Sequence, residues 1–161
     1  EGIPHRTAHI WIIREKEDRV QILLQKRSQN KDSFPGKFDT SSAGHIQAGD
    51  EPLESALREL KEELGISATP EQLHFAGTFP ISFAKEFHRK MFRDEEIAFV
   101  YIYQEPVNTA ELVLQIEEVE AVQWFDLEEV YEQCGKHREI FCVPTGGLEV
   151  VRRYLKNIEK N

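Results

Sequence analysis

Residues 44–66, GHIQAGDEPLESALRELKEELGI, decide how the rest of this chain is read. Leu53, Ala56, Leu57, Leu60 and Leu64 recur at helical spacing and mark one buried stripe. Asp50 is placed to cap the N-terminus, Pro52 suits the first turn, and Gly65 suits a left-handed terminator. At about 100° per residue, Glu59, Glu62 and Glu63 fall within an arc of about 100°, beside the leucine stripe rather than on it. Like charges at these spacings repel by roughly a few tenths of a kcal/mol each. Lys61 points elsewhere, and Arg58, four residues before Glu62, is placed to hold one carboxylate. A hard divalent cation answers such a crowd. Mg²⁺ takes one or two carboxylates, keeps waters and leaves room for substrate phosphates, and a metal so held polarises a phosphoryl oxygen and activates a water. The same letters also spell a surface helix of good helix formers, and spacing alone leaves both readings open.

The chain of 161 residues suits one compact domain, read here as residues 1–161. It contains no internal repeat, low-complexity tract or linker and no apolar run of membrane-spanning length, and no signal peptide is read in the given stretch, which starts at Glu1 without Met. The net charge of −9 argues against binding duplex nucleic acid. Against that background Lys85, His88, Arg89, Lys90 and Arg93 cluster between two apolar segments, as a loop placed to meet an anionic ligand. Cys134 and Cys142 form no metal or redox spacing, and their scarcity suits a reduced, cytoplasmic setting.

Residues 8–13 and 20–25, separated by a polar turn, are expected to form a hairpin. Phe34-Pro35-Gly36 is turn punctuation, and residues 38–42 read as a short strand leading into Gly44. Further strands are expected at 73–83, where Pro80 should break or bend the chain, at 96–103, where the apolar run suits a buried position, and at 121–125. Residues 127–134 and 148–158 read as helices, with Gly146-Gly147 breaking the chain before the last. The sum is an α/β or α+β arrangement, a mixed sheet with helices on its faces.

Gly44, Asp50, Arg58, Glu59, Leu60, Glu62, Glu63, Gly65 and Ile66 together resemble the Nudix box, G-x5-E-x7-R-E-U-x-E-E-x-G-U with U bulky and aliphatic. Every fixed position matches except the first acidic one, which is Asp50 rather than Glu. The flanking segments are also similar, so the likeness to the MutT-like Nudix hydrolases covers most of the chain. The resemblance implies an α/β/α sandwich with a mixed β-sheet. It further implies Mg²⁺- or Mn²⁺-dependent hydrolysis of the diphosphate linkage of a nucleoside diphosphate derivative or related organic pyrophosphate. By the same resemblance Glu59, Glu62 and Glu63 are metal ligands, one doubling as base, Arg58 orients a carboxylate, and Gly44 offers its backbone carbonyl to the metal.

The segments HRTAHIWIIR, FPGKFDTSSAGH and EEIAFVYIY resemble more narrowly the branch that includes isopentenyl diphosphate isomerase. That enzyme has a Cys immediately before the Gly-His of the box strand, whereas Ala43 stands here and exchanges no proton. The isomerase also departs from the R-E-U-x-E-E helix that this chain keeps. Both differences favour hydrolysis. Isomerisation, or a ligand-binding module without catalysis, are the alternatives. His5, His45 and Glu96 match positions serving a metal site in that branch. Glu96 is expected as an extra ligand or general base, whereas His5 and His45 read as ordinary hydrogen-bonded histidines and His9 receives no role. Phe34, Phe38 and Trp124 read as core rather than as base-stacking groups. Substrate specificity is expected outside the box, with Lys85, Arg89, Lys90 and Arg93 as substrate contacts. The expected partners are a small-molecule diphosphate, neither duplex nucleic acid nor membrane, and, as one option for assembly, a second copy in a homodimer.

Overall fold

Alternation along one central strand organises both layers of the protein. The computed structural model describes residues 5–31, 33–87 and 90–159, and the backbone alone for 83–87, 90–94 and 159. β1 (His5–Lys16) turns through Glu17 and Asp18 into β2 (Arg19–Arg27). Both turn residues have positive φ, 54° and 64°, which matches the twist that a tight hairpin needs. The expected hairpin is therefore present, with longer arms. The expected strand at 38–42 is divided into β3 (Phe38–Asp39) and β4 (Ser42–Ile46). The remaining elements are α1 (Pro52–Leu64), β5 (Leu73–Phe87), β6 (Lys90–Tyr103), β7 (Val119–Asp126), α2 (Leu127–Gln133) and α3 (Thr145–Glu159).

The sheet runs β3-β2-β1-β6-β5, with β4 also paired to β1 and β7 to β2. β6 lies parallel to β1 and the other pairs are antiparallel, so the sheet is mixed. One edge of β1 is shared. Residues 12–16 pair with β2, and residues 6–10 with β4. Where the two partners part, Ser41 fills the fork. Its hydroxyl accepts from the Ile12 N–H at 2.9 Å and donates to the Leu23 carbonyl, and its own carbonyl accepts from the Gln25 amide at 3.1 Å. Side chains thus satisfy backbone groups that the diverging ladders would leave unmet.

Ala8, Ile10 and Ile12 face α1 and join Ala56, Leu60 and Leu64 in one core. Trp11 and Ile13 point the other way, into a second core with Val100, Ile102, Leu148 and Val151. Helices on both faces of a mixed sheet make an α/β/α sandwich. No described helix is long and apolar enough to cross a membrane.

Several expectations are corrected. Glu51, not Asp50, occupies the N-cap of α1, without a side-chain cap, because the Asp50 carboxylate is taken up by Arg58. Pro80 does not break β5. It pairs with Ile97, and the irregularity falls between Phe75 and Gly77. β5 ends the strand path, and an edge strand tolerates a residue without an N–H. The basic loop expected around 85–93 is instead the two arms of a β5–β6 hairpin, with Lys85 opposite Phe92 and Arg93 opposite Ala84. His88 and Arg89, and the side chains of Lys85, Lys90 and Arg93, lie outside the described residues. Gly146 and Gly147 lie inside α3 rather than before it. A methyl on Gly146 would stand 2.9 Å from Phe79 Cδ2, and one on Gly147 3.0 Å from Trp11 Cζ2, so these glycines allow the helix to approach the sheet. Phe34 is not core: it is 52% exposed at a turn with φ 52°. Phe38 does pack against Phe125, and Trp124 lies half-buried beneath the Arg14 guanidinium, 4.0 Å from its ring centroid.

Candidate metal centre on the acidic helix

α1 closes in a left-handed Gly65, φ 75°, whose N–H bonds back to Leu60 and Lys61, as expected for a helix terminator. Its carboxylates differ in environment. Glu62 is exposed, Glu59 half-buried, and Glu63 only 8% exposed. All three spring from the face beside β4.

Glu63 reaches into the sheet. Its Oε1 accepts from Ser42 Oγ at 2.8 Å, from Gln25 Nε2 at 3.1 Å and from the Ala43 N–H at 3.2 Å. Burial pushes its carboxyl up to about 7, and these three donors oppose that shift. Glu59 is raised above the ordinary carboxylate range, first by burial and then by the neighbouring Glu62, with Arg58 opposing. Glu59 also fills the space over Gly44, since a methyl there would stand 2.5 Å from Glu59 Oε2.

Arg58 serves a different partner from the one its helical spacing suggested. Its guanidinium lies 3.7 Å from Glu59 Oε2 and 3.4 Å from Asp50 Oδ2, and donates to the His45 carbonyl at 3.5 Å. It ties the helix to the loop that precedes it, rather than bridging one turn to Glu62. Asp50, the letter that departs from the box, is the outer partner of this bridge.

Among the described residues no three His, Cys, Asp or Glu side chains stand together as a preformed metal cage. The donor set nevertheless fits a hard divalent cation. Burial first, and neighbouring carboxylates after it, raise Glu59 and Glu63 above the ordinary carboxylate range, a cost that a bound cation would relieve. Gly44 is bare where a Cβ would displace Glu59. Mg²⁺ asks for one or two carboxylates with waters and phosphates completing its shell, not a full protein cage.

The other predicted residues lie elsewhere. Glu96 pairs with His5, so alternation along β6 sets it on the face of Ala98, Val100 and Ile102, away from α1. The rings of His5 and His45 meet edge-on at 6.4 Å and line an open depression with Arg6, Ile46, Gln47 and Ala48. Cys142 is buried, and burial pushes its thiol up to about 12, which leaves it inert. Sequence reasoning passed over Gln25 and Ser42, the side chains that hold Glu63. No local spacing marks them, because the sheet alone brings them to α1. It also passed over His9, 7% exposed, whose ring meets Phe79 edge-on at 5.7 Å and whose Nδ1 has no partner among the described residues.

The NUDIX domain family matches residues 3–143. An uncharacterized Nudix hydrolase of Clostridium acetobutylicum is 37% identical over 130 residues, covering 81% of this chain and 61% of the relative. Nudix hydrolase 3 of Arabidopsis thaliana is 41% identical over 131 residues, covering 80% of this chain and 16% of the relative. The chain thus spans less than two thirds of either protein. Among solved structures, the NUDIX domain of Shewanella oneidensis NrtR complexed with ADP ribose superposes with a TM-score of 0.65 at 14% identity, covering 98% of this chain and 90% of that one. A C. elegans Ap4A hydrolase binary complex gives 0.62 at 20% identity, covering 95% and 98%. At these identities the structural likeness shows the fold alone.

Proposed function

This chain belongs to the Nudix family, and from that premise we propose that it is a divalent-metal-dependent hydrolase. Its substrate is a nucleoside diphosphate derivative or related organic pyrophosphate, cleaved at the diphosphate linkage. Glu59, Glu62 and Glu63, with the Gly44 carbonyl, hold Mg²⁺ or Mn²⁺. Bound there, the cation polarises a phosphoryl oxygen and lowers the pKa of its water. Arg58, anchored to Asp50, keeps Glu59 against β4 so that the carboxylate does not swing away when the site is empty of charge. The observation that carries the reading is this combination of a crowded carboxylate face and a glycine kept bare beneath Glu59. The base that accepts the proton of the attacking water comes from the same carboxylates. Lys85, Arg89, Lys90 and Arg93 supply positive charge for the anionic substrate, a proposal that rests on their charge. Ala43 carries no group that exchanges a proton, which supports hydrolysis over isomerisation.

The test is a panel of nucleoside diphosphate sugars, dinucleoside polyphosphates, nucleoside di- and triphosphates and coenzymes, with Mg²⁺ and Mn²⁺ run separately. Metal-dependent release of phosphate or nucleotide is expected. Glu62→Gln and Glu63→Gln are each expected to lower turnover by at least about 100-fold with the fold retained. Unchanged rates in both variants sink the assignment. Glu96→Gln is expected to keep activity, since Glu96 lies on the face away from α1; activity lost with metal uptake intact would assign the base to Glu96 instead.

A further inference from the structure

Two strands that carry no fixed letter of the box at these positions nonetheless converge on Glu63. Gln25 on β2 and Ser42 on β4 are 5% and 0% exposed, and both donate to the same oxygen, Oε1. The Ala43 N–H joins them there. Gln25 Nε2 also donates to the Ser41 carbonyl at 3.1 Å, so both amide hydrogens are committed and the amide has one satisfied orientation. Among the described residues these donors all bond Oε1 and none is given to Oε2. We propose that Gln25 and Ser42 are positioning residues: they bind Oε1 of Glu63 to the sheet and leave Oε2 as the oxygen that meets the cation.

The inference rests on the reading of Glu63 as a metal ligand. A glutamate on a helix has three rotatable side-chain bonds, and fixing them at the moment of binding weakens affinity. Donors that fix them beforehand remove that cost. Groups that orient a ligating carboxylate in this way are worth roughly 10- to 100-fold in metal affinity or activity. The donors are rigid themselves, since both are buried side chains on paired strands.

The experiment titrates Mn²⁺ alone into the protein and reads free Mn²⁺ by electron paramagnetic resonance, for wild type, Ser42→Ala, Gln25→Met and Ser42→Thr. Circular dichroism and melting curves check the fold. Ser42→Ala and Gln25→Met are expected to weaken Mn²⁺ binding by about tenfold each, and Ser42→Thr, which keeps the hydroxyl, to restore it. With a hydrolysed substrate from the panel, kcat falls in the first two variants while KM moves by less than about twofold. Ser42→Ala removes a single oxygen from the opposite strand and decides the matter if Gln25→Met fails to fold. Folded Ser42→Ala that binds Mn²⁺ as tightly as wild type overturns the inference and leaves the metal reading standing. Wild-type protein that takes up no Mn²⁺ overturns both.

Discussion

Glu59 rests directly on Gly44: a methyl group at that position would stand 2.5 Å from Glu59 Oε2 and closer still to its carboxyl carbon. Gly44 is needed here for room, since its φ is not in the left-handed region. Gly44→Ala is therefore expected to push Glu59 off β4 while β4 keeps its pairing to β1. A misplacement of about 1 Å costs a catalytic group about 100-fold, so kcat/KM should fall by that order. The far-ultraviolet circular dichroism spectrum should remain that of wild type.

The Arg58–Asp50 pair is about one-third exposed on both sides, 37% and 38%. Such pairs contribute less than about 1 kcal/mol to stability. Its importance lies in where it holds Glu59. Arg58→Ala should lower kcat by about tenfold while moving the melting temperature little. Asp50→Glu restores the family letter and keeps the charge, and should leave kcat close to wild type. A large loss of melting temperature in Arg58→Ala would show that the bridge is structural instead.

His9 draws stability down towards acid, against Glu63, whose raised carboxyl acts in the same window with the opposite sign. Burial holds its imidazole down at about 4 against an ordinary 6.5, with nearby Asp39 opposing and His45 adding to the shift. The folded protein therefore binds fewer protons than the unfolded chain between those values. The stability that His9 confers is complete above about pH 6.5 and is lost as pH falls through about 4, roughly 3 kcal/mol in all. His9→Leu should flatten this part of the stability–pH curve, measured by urea unfolding at pH 4 to 7. An unchanged slope would assign the acid sensitivity to other groups.

Gly147→Ala runs against ordinary helix propensity. In an exposed helix interior the change stabilises by about 1 kcal/mol. Here the added methyl would meet Trp11 Cζ2 at 3.0 Å and Phe79 at 3.3 Å. Overpacking of this kind typically costs 1–3 kcal/mol, so the variant should melt below wild type by differential scanning calorimetry. A higher melting temperature would show that α3 shifts without strain.

Local patterns carried the expectations that held. The leucine spacing of α1, the Gly65 terminator and the polar turn between β1 and β2 are each encoded within a few residues, and each is where it was expected. The β5–β6 arms were missed because lysines, arginines and histidine lack the alternating apolar signal, while cross-strand pairing still extends them. Gly146-Gly147 was misread because a glycine pair signals a break equally well whether the reason is a turn or a close approach. The box positions were legible through the family resemblance, where helical spacing alone left two readings open. Arg58 found Glu59 and Asp50 rather than Glu62 because a loop folded back over the helix start. Gln25 and Ser42 were invisible, since sheet register alone sets them beside Glu63.

Ser41 gives the fork between β2 and β4 a consequence for how this molecule can change. The hydroxyl of Ser41 closes the sheet there, and the backbone carbonyl of the same residue holds the Gln25 amide that donates to Glu63. Architecture and chemistry are stitched through one seam. Loss of the Ser41 hydroxyl opens the fork directly, and reaches Gln25 only by shifting the backbone carbonyl that its amide bonds.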